Sequence, residues 1–88
     1  MLVEQNRTAV AIDLQHVHYF DSSAMSALLQ VQRQAETSGW HVVVVRPRDP
    51  RVWRLFELTG LANRFEFFDS RAGALTNIAM FGRGLFDD

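Results

Sequence analysis

Four consecutive valines, Val42-Val43-Val44-Val45, follow Trp40 and His41. Side chains branched at Cβ are stiff at χ1 and suit a pleated strand better than a helix. A run of them without polar alternation offers no face to water. It belongs in a central parallel strand with little solvent on either side. The strand reads as residues 40–45, and the rest of the chain has to supply its neighbours and its covering layers.

A neighbour is readable upstream. Ala9-Val10-Ala11-Ile12-Asp13-Leu14 alternates, with Val10, Ile12 and Leu14 on one side and Ala11 and Asp13 on the other. That is the pattern of a half-buried strand. After the connection Gln15-His16-Val17-His18-Tyr19-Phe20, the positions Ala24, Leu28, Val31 and Ala35 recur at spacings of 4, 3 and 4, with Met25 and Leu29 beside them. These form one apolar stripe of a helix. Asp21, Ser22 and Ser23 fall at its start, where short polar side chains accept from free N–H groups. Either they do no more than cap the helix, or they carry a function that only the rest of the chain can argue. The helix is expected to stop at Thr37-Ser38-Gly39, with Gly39 in the left-handed position.

Beyond the valines, Asp49 is a candidate N-cap and Pro50 suits a first helical position. Val52, Leu55 and Phe56 make that helix's stripe, and Thr59-Gly60-Leu61 closes it. Arg64-Phe65-Glu66-Phe67-Phe68 reads as a short third strand. Asp69-Ser70 caps a last helix over residues 71–80. Residues 1–8 read as a loose tail or the last turn of a helix. Residues 81–88 read as a tail, because Gly82 and Gly84 argue against a longer helix. The order βαβαβα over a single domain calls for an α/β fold with a small parallel sheet. Its strands lie in sequential order, and the crossover helices lie mainly on one face. The valine run fits this only if something covers the other face.

Eighty-eight residues with 48% apolar content are enough for one core. A net charge of −1 offers no field for nucleic acid or an anionic membrane. The absence of cysteine excludes a disulfide framework and cysteine-ligated metal. No apolar run reaches transmembrane length and no signal-peptide pattern is present, so the expected location is the cytoplasm. A serine hydrolase needs glycines around its nucleophile to form a strained elbow, and Phe20-Asp21-Ser22-Ser23-Ala24 has none. His16 and His18 form an H-x-H pair without a third ligand at a familiar spacing, and read as loop histidines. There is no glycine-rich phosphate loop. Trp53 either flanks the core or marks a contact surface.

Two stretches carry a family resemblance. Val10-Ala11-Ile12-Asp13-Leu14, Phe20-Asp21-Ser22-Ser23-Ala24-Met25 and Leu28-Leu29 resemble the STAS domain of anti-sigma factor antagonists. That pattern is a strand ending in Asp-Leu, then Phe-x-Asp-Ser-Ser-Gly-Leu or close variants. The stretch from Pro50 through Trp53, Leu55 and Phe56 to Leu58-Thr59-Gly60-Leu61 is similar to the family's second signature. The resemblance runs over about residues 7 to 79. Ala24 stands where the family usually has glycine. The chain also looks short of the strands and helix that precede the Asp-Leu strand in the family.

The resemblance implies a function. The serine matching Ser22 is phosphorylated by a partner kinase, the anti-sigma factor, which brings the ATP. The unphosphorylated antagonist binds that kinase and frees the sigma factor. Phe20, Asp21, Ser23, Ala24, Met25 and Trp53 are then the candidates for partner contact or support of the phosphosite. The protein is expected to be a substrate and binding module, without catalysis, cofactor or membrane insertion. The alternative is a regulatory STAS domain or subunit of an anion transporter or of a lipid-transport ABC complex. If the preceding strands are absent, the strand at 10–14 has an uncovered edge, and a homodimer through that edge is expected.

Overall fold

The computed structural model describes the backbone of residues 2–5 and 9–86 and the side chains of residues 9–80. The elements are β1 (Leu2–Gln5), β2 (Ala9–Asp13), α1 (Ser22–Ser38), β3 (His41–Val45), α2 (Pro50–Thr59), a 3-10 turn (Leu61–Asn63), β4 (Glu66–Phe68) and α3 (Arg71–Phe86). The sheet order is β1-β2-β3-β4. β2, β3 and β4 are parallel and sequential, as the βαβαβα reading requires, with Ile12 opposite Val44 and Val44 opposite Phe67.

The valines explain the layering. Val44 belongs to a core with Val10, Ile12, Leu14, Phe20, Leu28, Val52, Phe56 and Leu61, which α1 and α2 close. Val43 and Val45 face the other way, into a second cluster with Ala9, Ala11, Ala74 and Ile78, which α3 closes. Val43, Val44 and Val45 are fully buried. The two crossovers step in the same direction along the sheet, so α1 and α2 share a face. α3 is not a crossover between two of these strands and is free of that constraint. It supplies the cover that the valine run demands. Phe56 is also fully buried, and burying a side chain of that size contributes about 1.5–3 kcal/mol.

Local chemistry sets the helix ends. Asp49 caps α2 through Arg51 N–H at 2.9 Å, and Pro50 takes the first helical position. Gly39 and Gly60 close α1 and α2 at φ +76° and +80°, a region that costs any residue with a Cβ. Ser70 Oγ accepts from Gly73 N–H at 3.0 Å at the start of α3.

Three expectations are corrected. Within residues 1–8, Leu2–Gln5 is neither tail nor helix remnant but a strand, antiparallel to β2 with Val3 opposite Ile12. Four residues are too few to display a period, and the signal that fixes them is β2's own edge, whose N–H and C=O groups need partners. The edge at 10–14 is therefore covered by β1, and a homodimer through it loses its basis. One strand does precede the Asp-Leu strand. Within residues 81–88, the backbone is helical as far as Phe86, despite Gly82 and Gly84. Glycine costs only about 1 kcal/mol in a helix, which continuation of a helix already under way can override. Asp87 and Asp88 lie outside the described residues.

Candidate functional site

The carboxyl ends of β2, β3 and β4 and the loops that follow them gather at one end of the sheet. The loop from Leu14 to Asp21 is fastened at several points. Asp13 Oδ1 accepts from Gln15 N–H at 2.9 Å. Leu14 N–H donates to Val45 O, Val17 N–H to Leu14 O, and Arg48 N–H to Gln15 O. Phe20, buried, sets its ring 4.8 Å from that of Phe56. The alternation of β2 ends in Leu14, and Phe20 returns the chain to the same core before α1 begins.

At that point Asp21 has extended backbone (φ −104°, ψ −176°) and caps α1. Its Oδ1 accepts from Ala24 N–H at 2.9 Å, and its backbone oxygen accepts from Met25 N–H at 3.0 Å. Ser22 and Ser23 are the first two residues of the helix, and both are exposed. Among the described residues, neither hydroxyl makes a hydrogen bond, since the cap is supplied by Asp21 alone. Ala24 and Met25 are half-buried and pack against the first core.

Trp53 stands apart from this helix start. It is half-buried, edge-on to Phe67 at 5.0 Å, with the Arg46 guanidinium 4.2 Å over its ring. It flanks the core and also lines a cavity of about 290 Å³ with Arg46, Pro47, Arg48, Pro50 and Asp69. Met25 instead lines a separate groove between α1 and the end of α2. The structure thus brings Phe20, Asp21, Ser22, Ser23, Ala24 and Met25 together and leaves Trp53 on another surface.

Sequence reasoning missed a polar junction. His18 Nδ1 lies 3.1 Å from Asp49 Oδ2. An ionised carboxylate only accepts, so Nδ1 carries the proton. Asp49 also receives Arg51 Nε at 3.1 Å and Nη2 at 2.9 Å. The Arg51 guanidinium, then His18, hold the Asp49 carboxyl well below the usual carboxylate range, and Asp49 raises Arg51 in return. Asp49 was legible as a cap, but nothing local announces a partner across 31 residues. His16 is exposed, and among the described residues no three His, Cys, Asp or Glu come together as a metal site.

A family model for the STAS domain matches residues 1–74. The chain belongs to the STAS domain family. No solved structure matches it. In this STAS domain the match includes β1 as well as both sequence signatures, and it ends in the first turn of α3. Membership supports a regulatory role exercised through protein–protein contact. Among the described residues, no helix is long and apolar enough to cross a membrane.

Proposed function

We propose that this STAS domain is an anti-sigma factor antagonist that docks on a kinase-type anti-sigma factor and is switched off by phosphorylation of Ser22. The observation that carries the reading is the state of that hydroxyl: exposed, free of hydrogen bonds among the described residues, and first in a helix already capped by Asp21. A kinase meets no competing hydrogen bond there. The helix dipole favours added negative charge, so the fold tolerates a phosphate of about −1.5 to −2 charges. A docked partner does not, because an unpaired dianion inside a desolvated contact costs several kcal/mol. In this reading the protein is a substrate and a ligand, and the catalysis and ATP belong to the partner. The surrounding residues have simple roles. Asp21 holds the helix start, Phe20 anchors the loop, and Ser23 and Met25 face the partner.

The test is incubation with the candidate kinase and ATP, followed by phosphopeptide mapping and affinity measurements. Label is expected on Ser22, with Ser22→Ala binding persistently and Ser22→Asp binding weakly. Label on Ser23 alone, or parental affinity for Ser22→Asp, rejects the assignment. An anion-transporter or ABC-complex subunit would show no kinase-dependent label at all.

A further inference from the structure

Met25, Leu29 and Arg33 follow one another on α1 at spacings of four residues, and Ser22 precedes Met25 by three. These spacings place all four on one face of the helix. Met25, Leu29 and Arg33 form one wall of a groove of about 320 Å³. Thr59, Leu61 and Arg64 form the other. Leu61 is buried and Met25 and Leu29 are half-buried; these three supply the apolar part of a lining that Arg33, Thr59 and Arg64 make polar. Leu55 and Leu58, at 37% and 68% exposure, share the face of α2 that carries Thr59 and extend the apolar surface outward.

Among the described residues, neither arginine is paired with a carboxylate. The ion pairs among the described residues are His18–Asp49, His41–Glu66 and Arg51–Asp49, and none reaches Arg33 or Arg64. Glu36 borders the neighbouring depression together with Arg64 but does not pair with it. A groove that combines the apolar Met25, Leu29 and Leu61 with the two cations Arg33 and Arg64 has a definite complement. From Met25 to Arg33 the wall runs about 12 Å, roughly two turns of a helix laid alongside.

We propose that this groove receives an acidic amphipathic helix of the partner protein, with leucine-like side chains on the floor and carboxylates against Arg33 and Arg64. That the partner is an anti-sigma factor rests on the reading above, whereas the preference of the groove for an acidic helix does not. A second copy of this chain fits poorly, because in an isologous contact the groove meets the same surface of its partner, and its six lining residues offer two cations and no carboxylate. Ser22 ends the row that forms the wall. The occupant that Arg33 and Arg64 attract is therefore the kind that a phosphate on Ser22 repels. Partner selection and release then share one electrostatic cause.

The probes are two synthetic 14-residue peptides with leucines at i, i+3, i+4 and i+7, one with glutamates and one with lysines on the outer face. Fluorescence anisotropy with the full chain is expected to show the glutamate peptide binding about tenfold tighter at low salt, with the margin shrinking as salt rises. Arg33→Glu with Arg64→Glu is expected to reverse the preference, and Arg33→Gln with Arg64→Gln to abolish it. Leu29→Asp is expected to weaken both peptides, with a thermal melt confirming that each variant is folded. Equal binding of the two peptides, or a preference unmoved by either arginine pair, overturns the proposal. So does sedimentation showing a dimer that Leu29→Asp dissolves. No kinase takes part, so failure here leaves the Ser22 labelling experiment intact, and failure there leaves this one intact.

Discussion

His18 and Asp49 meet at 3.1 Å, and their contact ties the loop that leads to Ser22 to the cap of the following crossover helix. Asp49 has three jobs at once: it caps α2, pairs with Arg51 and accepts from His18. Its carboxyl is held below the ordinary value of 3.8, so its contribution to stability is complete above that pH and is lost as pH falls through the lower, folded-state value. Asp49→Asn keeps a capping side chain and removes the charge. A lower melting temperature than the parent is expected at pH 7, with the gap closing as both are titrated below pH 4. A gap that widens in acid would contradict the assignment.

Asp21→Ala removes the side-chain cap of α1. A loss of about 1 kcal/mol is expected. For a domain of this size that lowers the melting temperature by about 4–8 °C. Asp21→Asn should recover most of it. Calorimetry on the three proteins decides whether Asp21 acts through its hydrogen bond to Ala24 N–H or through its charge.

Gly60 sits at φ +80° with open space where a Cβ would stand. Its requirement is one of backbone geometry, not of room. Gly60→Ala should cost about 1–2 kcal/mol and Gly60→Asn less. Equal melting curves for the parent and the alanine variant would mean that the turn into Leu61 relaxes at no cost.

Met25 packs against the core while lining the groove. Met25→Asp should therefore lose about 1–3 kcal/mol of stability as well as partner affinity. Chemical denaturation separates the two effects, because affinity measured well below the unfolding midpoint reports on the folded protein alone. An unchanged unfolding midpoint would place the side chain outside the core.

Removing residues 1–8 takes β1 from the sheet and uncovers β2. Light scattering after gel filtration should then show dimers or larger species, because an apolar strand with unpaired N–H and C=O groups pairs with another chain. A truncated protein that remains monomeric would show that β1 is not what protects the edge.

The fold was legible wherever the deciding interaction is local. The valine run demanded a central strand, Asp49-Pro50 and Thr59-Gly60-Leu61 bracketed α2, and Asp21 announced α1. What escaped depends on distance or on partners. β1 is four residues whose conformation follows from the edge they cover. The placement of α3 follows from a sheet face and not from its own sequence, whose glycines point the wrong way. The same holds for the site. Phe20 through Met25 are contiguous and could be read together, whereas the groove joins Met25 to Arg64 and the polar junction joins His18 to Asp49. Neither pairing leaves a mark in either segment alone.

The second core has a consequence of its own. Its floor is Ala9, Ala11, Val43 and Val45, and α3 answers with Ala74 and Ile78. Three of these six residues are alanines, which let the helix lie close to the sheet but remove less apolar area from water than the leucines and phenylalanines of the first core, so α3 is held less strongly than α1 and α2. In hydrogen exchange the amides of α3 should lose protection first, as a separate cooperative unit, while the layer that carries Ser22 keeps its own. α1, which begins at Ser22, and α3 lie on opposite sides of the same four strands.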